Sequence, residues 1–375
     1  MKKITLKDRL RNEIFRLYRH AVRKEHELTY LFWECTLRCN LSCRHCGSDC
    51  LKEAKLQDMP LTDFVNVLDN IKKKNTASHM TVCITGGEPL LRGDLEKAGV
   101  AIRERGFDWC IVSNGLAMTP ERFDSLIKSG LGGMSLSIDG LEVEHNCLRQ
   151  NPNSFKAVVN AIELCASRNQ KYPRLFLFDV ITCVHRGNLA VLPRLRDFLI
   201  SKGVKFWRLF SIFPSGRASL NDLALTPGEY RHLMDFIVET RNYKTEDGKS
   251  IHPSYSCEGY LGDYELKVRD YYFFCRGGIN VGSVMCDGSI SACLSVRSPS
   301  FIQGNIYKDD FMDVWNNRFQ NMRNRSWAKV GRCANCKSWR WCEGNGLHLH
   351  ADDHSECVHC NLEMLEEKSY EGGIG

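Results

Sequence analysis

Six short apolar runs, separated by stretches of helical periodicity, restrict this chain more than any other feature. They are TYLFWEC (29–35), MTVCIT (80–85), WCIVS (109–113), MSLSID (134–139), LFLFDVITC (175–183) and KFWRLFS (205–211). Most lack a period of two, the pattern of strands covered on both faces. Helical stretches fall between them near 60–73, 94–104, 119–129, 154–168 and 190–202. Thr62, Thr119 with Pro120, and Ser154 are predicted to cap three of them. Six such units predict a parallel sheet with right-handed crossovers. Six is short of the eight of a closed barrel. The expected fold is therefore α/β: a partial, TIM-like (β/α)6 barrel, open on one side, over residues 29–215.

The flanks read differently. In residues 1–28, Leu6, Leu10, Ile14, Leu17 and Ala21 recur at helical spacing among basic residues, which predicts an amphipathic helix. The favoured reading packs its apolar stripe on the barrel and leaves the basic face in solvent. The other reading is a helix that docks on a membrane surface or a partner. Residues 216–256 form a connector. In it Thr226-Pro227-Gly228-Glu229 is a capping box opening a helix to about residue 242, followed by the polar stretch NYKTEDGKSIHPS. From 257 to 375 the chain is rich in cysteine, glycine and tryptophan, with short elements, and is expected to be a second domain.

Nineteen cysteines need a reason. The N-terminus has no apolar signal region, and no run of eighteen apolar residues exists to span a membrane. The chain is thus expected in the cytoplasm, where metal or redox chemistry explains cysteines better than disulfides do. Most gather in two regions, Cys35–Cys50 and Cys333–Cys360. Cys83, Cys110, Cys147, Cys165 and Cys183 lie in apolar stretches and read as small core residues. The net charge of +6 says little alone.

In the first region Cys39, Cys43 and Cys46 form C-x-x-x-C-x-x-C on the loop after the first strand, at the barrel end where such folds place active sites. Three thiolates on a tight loop hold three irons of a 4Fe–4S cluster and leave the fourth iron open. A closed zinc site, with Cys35 or Cys50 as fourth ligand, is the competing reading. Further motifs sit at the ends of successive strands: Gly86-Gly87-Glu88-Pro89, Ser113-Asn114-Gly115, and Ser137-Ile138-Asp139-Gly140, with Arg149 beyond. The two glycines are expected to let a ligand approach the backbone, and Glu88 and the exposed carbonyls to accept from an ammonium group.

With these residues, 29–215 resembles the radical S-adenosylmethionine (radical SAM) enzymes. The triplet Cys39-x-x-x-Cys43-x-His45-Cys46 matches the family motif. The resemblance puts His45 near the adenine, Gly86, Gly87, Glu88 and Pro89 at the methionine ammonium, and Ser137 and Arg149 at the methionine carboxylate. Ser113, Asn114 and Asp139 join the cofactor-binding set. It implies that S-adenosylmethionine chelates the open iron, that one electron cleaves its C–S bond, and that a 5′-deoxyadenosyl radical abstracts hydrogen from substrate. It also implies reduced flavodoxin or ferredoxin as electron donor.

The second region reads Cys275, Asp287-Gly288, Cys293, Cys333-x-x-Cys336-x5-Cys342, Cys357 and Cys360. This looks like a SPASM domain, which holds auxiliary iron–sulfur clusters; alone, paired C-x-x-C spacings also suit a zinc ribbon. One or two auxiliary 4Fe–4S clusters are expected. Cys333, Cys336 and Cys342 supply one, with Cys360 preferred to Cys357 because Cys357 lies in the polar loop ADDHSEC. Gly346 stands where a further cysteine is expected, which leaves Cys275, Cys293 and Cys257 for the other. Cys286 precedes a two-residue Asp-Gly hairpin turn, pairs with Ser289 in that register, and is read as structural. Leu294 replaces the aspartate that sulfatase-maturing relatives carry, so formylglycine formation is disfavoured. With about 28 residues before the first strand, no separate peptide-recognition domain is expected there.

The chain as a whole resembles SPASM-type maturases of the group named for a radical SAM/lipoprotein system, which implies a peptide or small protein substrate, a lipoprotein or lipopeptide precursor included. A small-molecule radical SAM oxidoreductase is the second reading. A non-enzymatic zinc protein contacting nucleic acid is the third; it leaves GGEP, Ser137 and Arg149 unexplained, and no nucleic-acid partner is expected.

Overall fold

The structure is a computed structural model that describes residues 6–366 except 55, 214, 257–258 and 352–355. One sheet of ten strands organises it. The strands are β1 Tyr30–Thr36, β2 Thr81–Gly86, β3 Asp108–Ser113, β4 Gly133–Ser137, β5 Leu177–Val184, β6 Phe206–Ser211, β7 His252–Tyr255, β8 Val281–Val284, β9 Ser289–Ser291 and β10 Gly304–Asn305. Their order is β10-β9-β8-β1-β2-β3-β4-β5-β6-β7. All pairings from β8 through β1 to β7 are parallel; only β8–β9 and β9–β10 are antiparallel. The six expected strands are present within one or two residues of their predicted limits.

Burial alternates along these strands, contrary to the reading of strands covered equally on both faces. Leu31, Trp33, Val82, Ile84, Trp109, Ile111, Leu136, Val180, Trp207 and Leu209 are buried under the helices. The opposite face is partly open, and there Tyr30, Thr85, Cys110, Ser135, Ser137, Asp179 and Arg208 are half-buried. On it the Tyr30 hydroxyl of β1 meets Cys110 Sγ of β3 at 3.5 Å, and Arg208 of β6 donates to Ser135 Oγ of β4 at 2.6 Å. Side chains two strands apart touch because the sheet curls toward this inner face. The barrel is partial because β7 and β10 remain edges.

The helices follow their signals unevenly. Thr119 caps Pro120–Lys128 through Arg122 N–H (3.1 Å), and Thr226 and Glu229 close a capping box on Pro227–Asn242. The other two predicted caps fail. Leu61–Lys74 starts after Pro60 without a side-chain cap. Ser154 is the first residue of its helix and bonds His145 instead (2.9 Å). A helix Glu142–Arg149, not anticipated, carries Arg149.

Three further expectations change. First, the end of the supposed connector is β7, a seventh parallel strand; its Pro253 is tolerable because this is an edge. Second, the described strands of the C-terminal region extend the barrel sheet, since β8 pairs with β1 from Tyr30↔Val281 to Trp33↔Val284. Third, the N-terminal helix Leu6–Glu25 packs the other way round. It turns Asn12, Phe15 and Arg19 inward. Phe15 packs on Tyr272 and Phe274, and the Arg19 guanidinium donates to the carbonyls of Arg340 (3.0 Å) and Trp341 (2.5 Å). Arg19 and Arg23 both pair with Glu343. Buried carbonyls and a carboxylate at the docking surface select a basic face over an aliphatic one. Among the described residues no helix is long and apolar enough to cross a membrane.

Candidate functional site

The cysteine loop leaves β1 at Thr36. Cys39 and Cys43 are buried and Cys46 half-buried, in one apolar group with Leu41, Cys50, Leu37 and Leu116. Cys35 lies instead in the main core. Burial pushes the Cys39 thiol up to about 12 and raises Cys43 as well. Cys46 is lowered to about 5, chiefly by a hydrogen bond from Cys50, which is raised in turn. Thiols that burial holds protonated become thiolates opposite a strong positive charge, which iron supplies. Two donors already face this group: Asn114 Nδ2 at 3.8 Å from Cys39 Sγ and Arg149 Nη1 at 3.9 Å from Cys43 Sγ. The donor set therefore fits an iron–sulfur centre.

Gly86 and Gly87 have a reason other than ligand approach. A Cβ on Gly86 would stand 2.2 Å from Thr36 O, and one on Gly87 2.1 Å from Arg38 O. The Gly87 and Glu88 amides donate to those same carbonyls (2.7 and 2.9 Å). The glycines let the end of β2 press against the root of the cysteine loop. Pro89 starts a short buried turn. Glu88 departs from expectation too. Its buried carboxylate accepts from Leu90 N–H (3.1 Å), the Ser113 hydroxyl (2.8 Å) and Asn114 N–H (2.8 Å). It ties the end of β2 to the end of β3 and so fixes Asn114, whose Nδ2 also bonds Asn40 (2.8 Å). Its side chain is engaged by the protein, which leaves backbone carbonyls as acceptors for an ammonium.

On the far side Arg149 and Asp139 form a buried pair, Nε to Oδ2 at 2.7 Å. Asp139 also accepts from Cys183 N–H (2.9 Å). Arg149, followed by the nearby His45, holds the Asp139 carboxyl well below its usual range despite burial. His45, Asp139 and Cys183 bring one ligand-type atom each within 4.8 Å of one another. Burial lowers His45 to about 3, so its ring is neutral, and its Nδ1 is buried without a hydrogen-bond partner. Ser137 ends β4 on the inner face, in register with Ile181. Cys183 is thus a site residue and not the core residue expected; Cys110 is half-buried on the inner face, and Cys147 is exposed.

Arg217 is the main residue that sequence reasoning missed. Its Nε donates to Cys43 O (2.8 Å), its Nη atoms reach Cys50 O (3.1 Å) and Asp49 (2.7 Å), and its amide donates to Cys46 O (3.0 Å). Arg297 reaches the loop from the C-terminal region, donating to Ser48 Oγ (2.8 Å) and pairing with buried Glu34.

In the second cysteine region Cys333 and Cys357 are buried, and Cys336, Cys342 and Cys360 half-buried. Cys357 is fully enclosed and hydrogen-bonded to Cys333, which lowers it to about 7. Cys357 itself is thus turned inward, and that ground for preferring Cys360 falls away. Burial raises Cys342 to about 12. Asn345 donates through its amide to Cys342 Sγ (3.2 Å) and through Nδ2 to Cys357 Sγ (3.8 Å). Cys275 and Cys293 are half-buried against the main core, and Cys257 lies outside the described residues. Cys286 sits in a turn and not on the strand. Met285 N–H bonds Ser289 O (2.9 Å), so Cys286-Asp287-Gly288 is a three-residue loop with Gly288 at positive φ. Its amide faces Glu34 (3.2 Å) and its thiol Gln57 O (3.7 Å), beside the first site.

A curled parallel sheet with a thiol triplet at the exit of its first strand defines the radical SAM class, and residues 33–199 match the Radical SAM superfamily. Residues 275–337 match the SPASM iron–sulfur cluster-binding domain. The chain is a radical SAM enzyme with a SPASM domain, and its cofactors are iron–sulfur clusters and S-adenosylmethionine. It is 24% identical over 351 residues to the AdoMet-dependent heme synthase of Methanosarcina barkeri, covering 90% of this chain and 94% of that one. It is 26% identical over 340 residues to the mycofactocin maturase MftC of Mycolicibacterium smegmatis, covering 88% and 82%. Streptococcus suis SuiB bound to precursor peptide SuiA has the same fold, with a TM-score of 0.67 at 17% identity over 90% of this chain and 76% of that one. The reading as a non-enzymatic zinc protein is thereby set aside.

Proposed function

We propose that this enzyme modifies a residue of a peptide or small protein. The observation that carries the reading is similarity to a maturase over 88% of the chain and to a PqqA peptide cyclase over 90% of it. The bound cluster and S-adenosylmethionine would supply the electron and the carbon radical that removes a hydrogen atom. Cys39, Cys43 and Cys46 hold the iron. Arg149, oriented by Asp139, offers its outer nitrogens to the methionine carboxylate together with Ser137. The backbone carbonyls of Gly86 and Gly87 accept from the ammonium. His45, neutral and half-buried, lies beside the adenine. Cys333, Cys336 and Cys342 hold an auxiliary cluster with Cys357 or Cys360, and Cys275, Cys293 and Cys257 serve a second. A reduced flavodoxin or ferredoxin delivers the electron, and the reaction takes place in the cytoplasm.

The heme synthase relatives support a second reading, a small-molecule substrate. The two separate in one experiment. Anaerobic enzyme is supplied with S-adenosylmethionine, reductant and either short peptides encoded beside its gene or an iron porphyrin. A mass change in a peptide, matched by 5′-deoxyadenosine and lost in Cys43→Ala, supports the proposal. Turnover of the porphyrin with all peptides unchanged overturns it.

A further inference from the structure

The N-terminal helix leaves an apolar stripe facing outward. Leu10, Ile14 and Leu17 are 62%, 59% and 61% exposed, and Tyr18 beside them 46%. With exposed Ala21 they run along successive turns of one helix face. Isolated exposed leucines are ordinary, but a continuous stripe on a docked helix is a surface that something covers. The helix is not loosely placed. Phe15, Arg19 and Arg23 fix its other face to the C-terminal region through rings, carbonyls and Glu343. The stripe is therefore presented in a fixed orientation.

The flanks decide what fits it. At about 100° per residue, exposed Arg11 borders one side of the stripe, and exposed Arg16, His20 and Lys24 the other. Glu13, the carboxylate beside it, is neutralised by Arg16 (3.0 Å) and Arg340 (2.6 Å); Glu25 lies at the far end. Two copies paired stripe to stripe would bring basic flanks together. A flat anionic surface instead takes the aliphatic side chains into its apolar layer and the basic side chains among its headgroups.

We infer that the outward face of Leu6–Glu25 is a membrane-surface binding site that docks the whole enzyme on anionic lipid, without spanning the bilayer. The attachment needs both parts: apolar insertion through Leu10, Ile14 and Leu17, and attraction of the flanking arginines and lysine to lipid charge.

The test is co-sedimentation of the full-length, cluster-loaded enzyme with sucrose-loaded vesicles. One set is phosphatidylcholine with roughly a third phosphatidylglycerol, the other phosphatidylcholine alone. The enzyme should pellet with the anionic vesicles, and in about 1 M salt, where screening reaches roughly 3 Å, it should return to the supernatant. Ile14→Ser with Leu17→Ser should lower partitioning by more than about ten-fold. Both side chains are solvent-facing, on the side of the helix opposite Arg19, so 5′-deoxyadenosine formation should stay at the wild-type level. Three results overturn the inference: wild type remaining in the supernatant with anionic vesicles, equal binding by the double variant, or a wild-type dimer by light scattering that becomes monomeric in the variant while vesicles bind neither.

Discussion

His145 shows how much one buried side chain can be asked to do. Its ring accepts from Asp139 N–H at 3.1 Å and bonds the Ser154 hydroxyl at 2.9 Å, so it anchors the turn that presents Asp139 to Arg149. Burial lowers it from 6.5 to about 4. As pH falls below 6.5 the unfolded chain takes up this proton first, so the contribution is present above 6.5 and is lost between 6.5 and 4. At 1.36 kcal/mol per unit the loss approaches roughly 3 kcal/mol. His145→Gln keeps an acceptor and a donor but cannot titrate. Thermal unfolding of the variant should depend less on pH across that window than wild type does. Asn345 acts on a different property. Two of its N–H groups face thiol sulfurs, and such bonds raise the potential of an iron–sulfur centre. Asn345→Ala should shift the auxiliary centre to a more negative midpoint, read by redox titration under electron paramagnetic resonance. Neither role was legible beforehand. Their partners lie only three to twelve residues away, but the turns that bring them together carry no signal in residue type.

At the scale of elements, the strands were legible because apolar content sets them, whereas orientation was not. Helical periodicity finds a stripe at Leu10, Ile14 and Leu17 but carries no sign for which way it faces. That choice was made by the carbonyls of Arg340 and Trp341 and by Glu343, more than 300 residues away. Likewise β7 is four residues long and contains a proline, so its composition is that of a connector, and only pairing with β6 makes it a strand. The GGEP turn was recognisable as a site element, but not the reason for its glycines, since what a Cβ on Gly87 would strike, at 2.1 Å, is the loop after β1. Arg217 belongs to the stretch read as a connector. Because it holds the carbonyls of Cys43 and Cys50, Arg217→Ala should lose iron from the first site while keeping wild-type far-ultraviolet circular dichroism, and Arg217→Lys should recover part of it.

For the molecule as a whole, one sheet runs unbroken from the barrel into the C-terminal region, and the thiols between the two cysteine groups need separate accounting. Cys286 is turned toward Glu34 and Gln57, away from the strand that leads to Cys293. Removing it should leave the iron content at the wild-type level, about eight to twelve atoms for two or three 4Fe–4S clusters. Loss of about four on Cys286→Ala would make it a ligand. The two cysteine regions were legible as two sites from spacing. Their closeness was not, because it depends on β8 joining β1.

That closeness is carried partly by the segment after β6. Phe213 packs against Cys333, Leu349 and Cys357, with its ring 5.8 Å from that of His348, and Gly216 and Arg217 lie on the Cys43–Cys50 loop. One short stretch of chain is thus a shared wall of two metal centres. The two sites are therefore expected to load together, coupled through this stretch. Reconstitution with limiting iron should give a mixture of full and empty molecules, with few half-loaded ones, in native mass spectrometry.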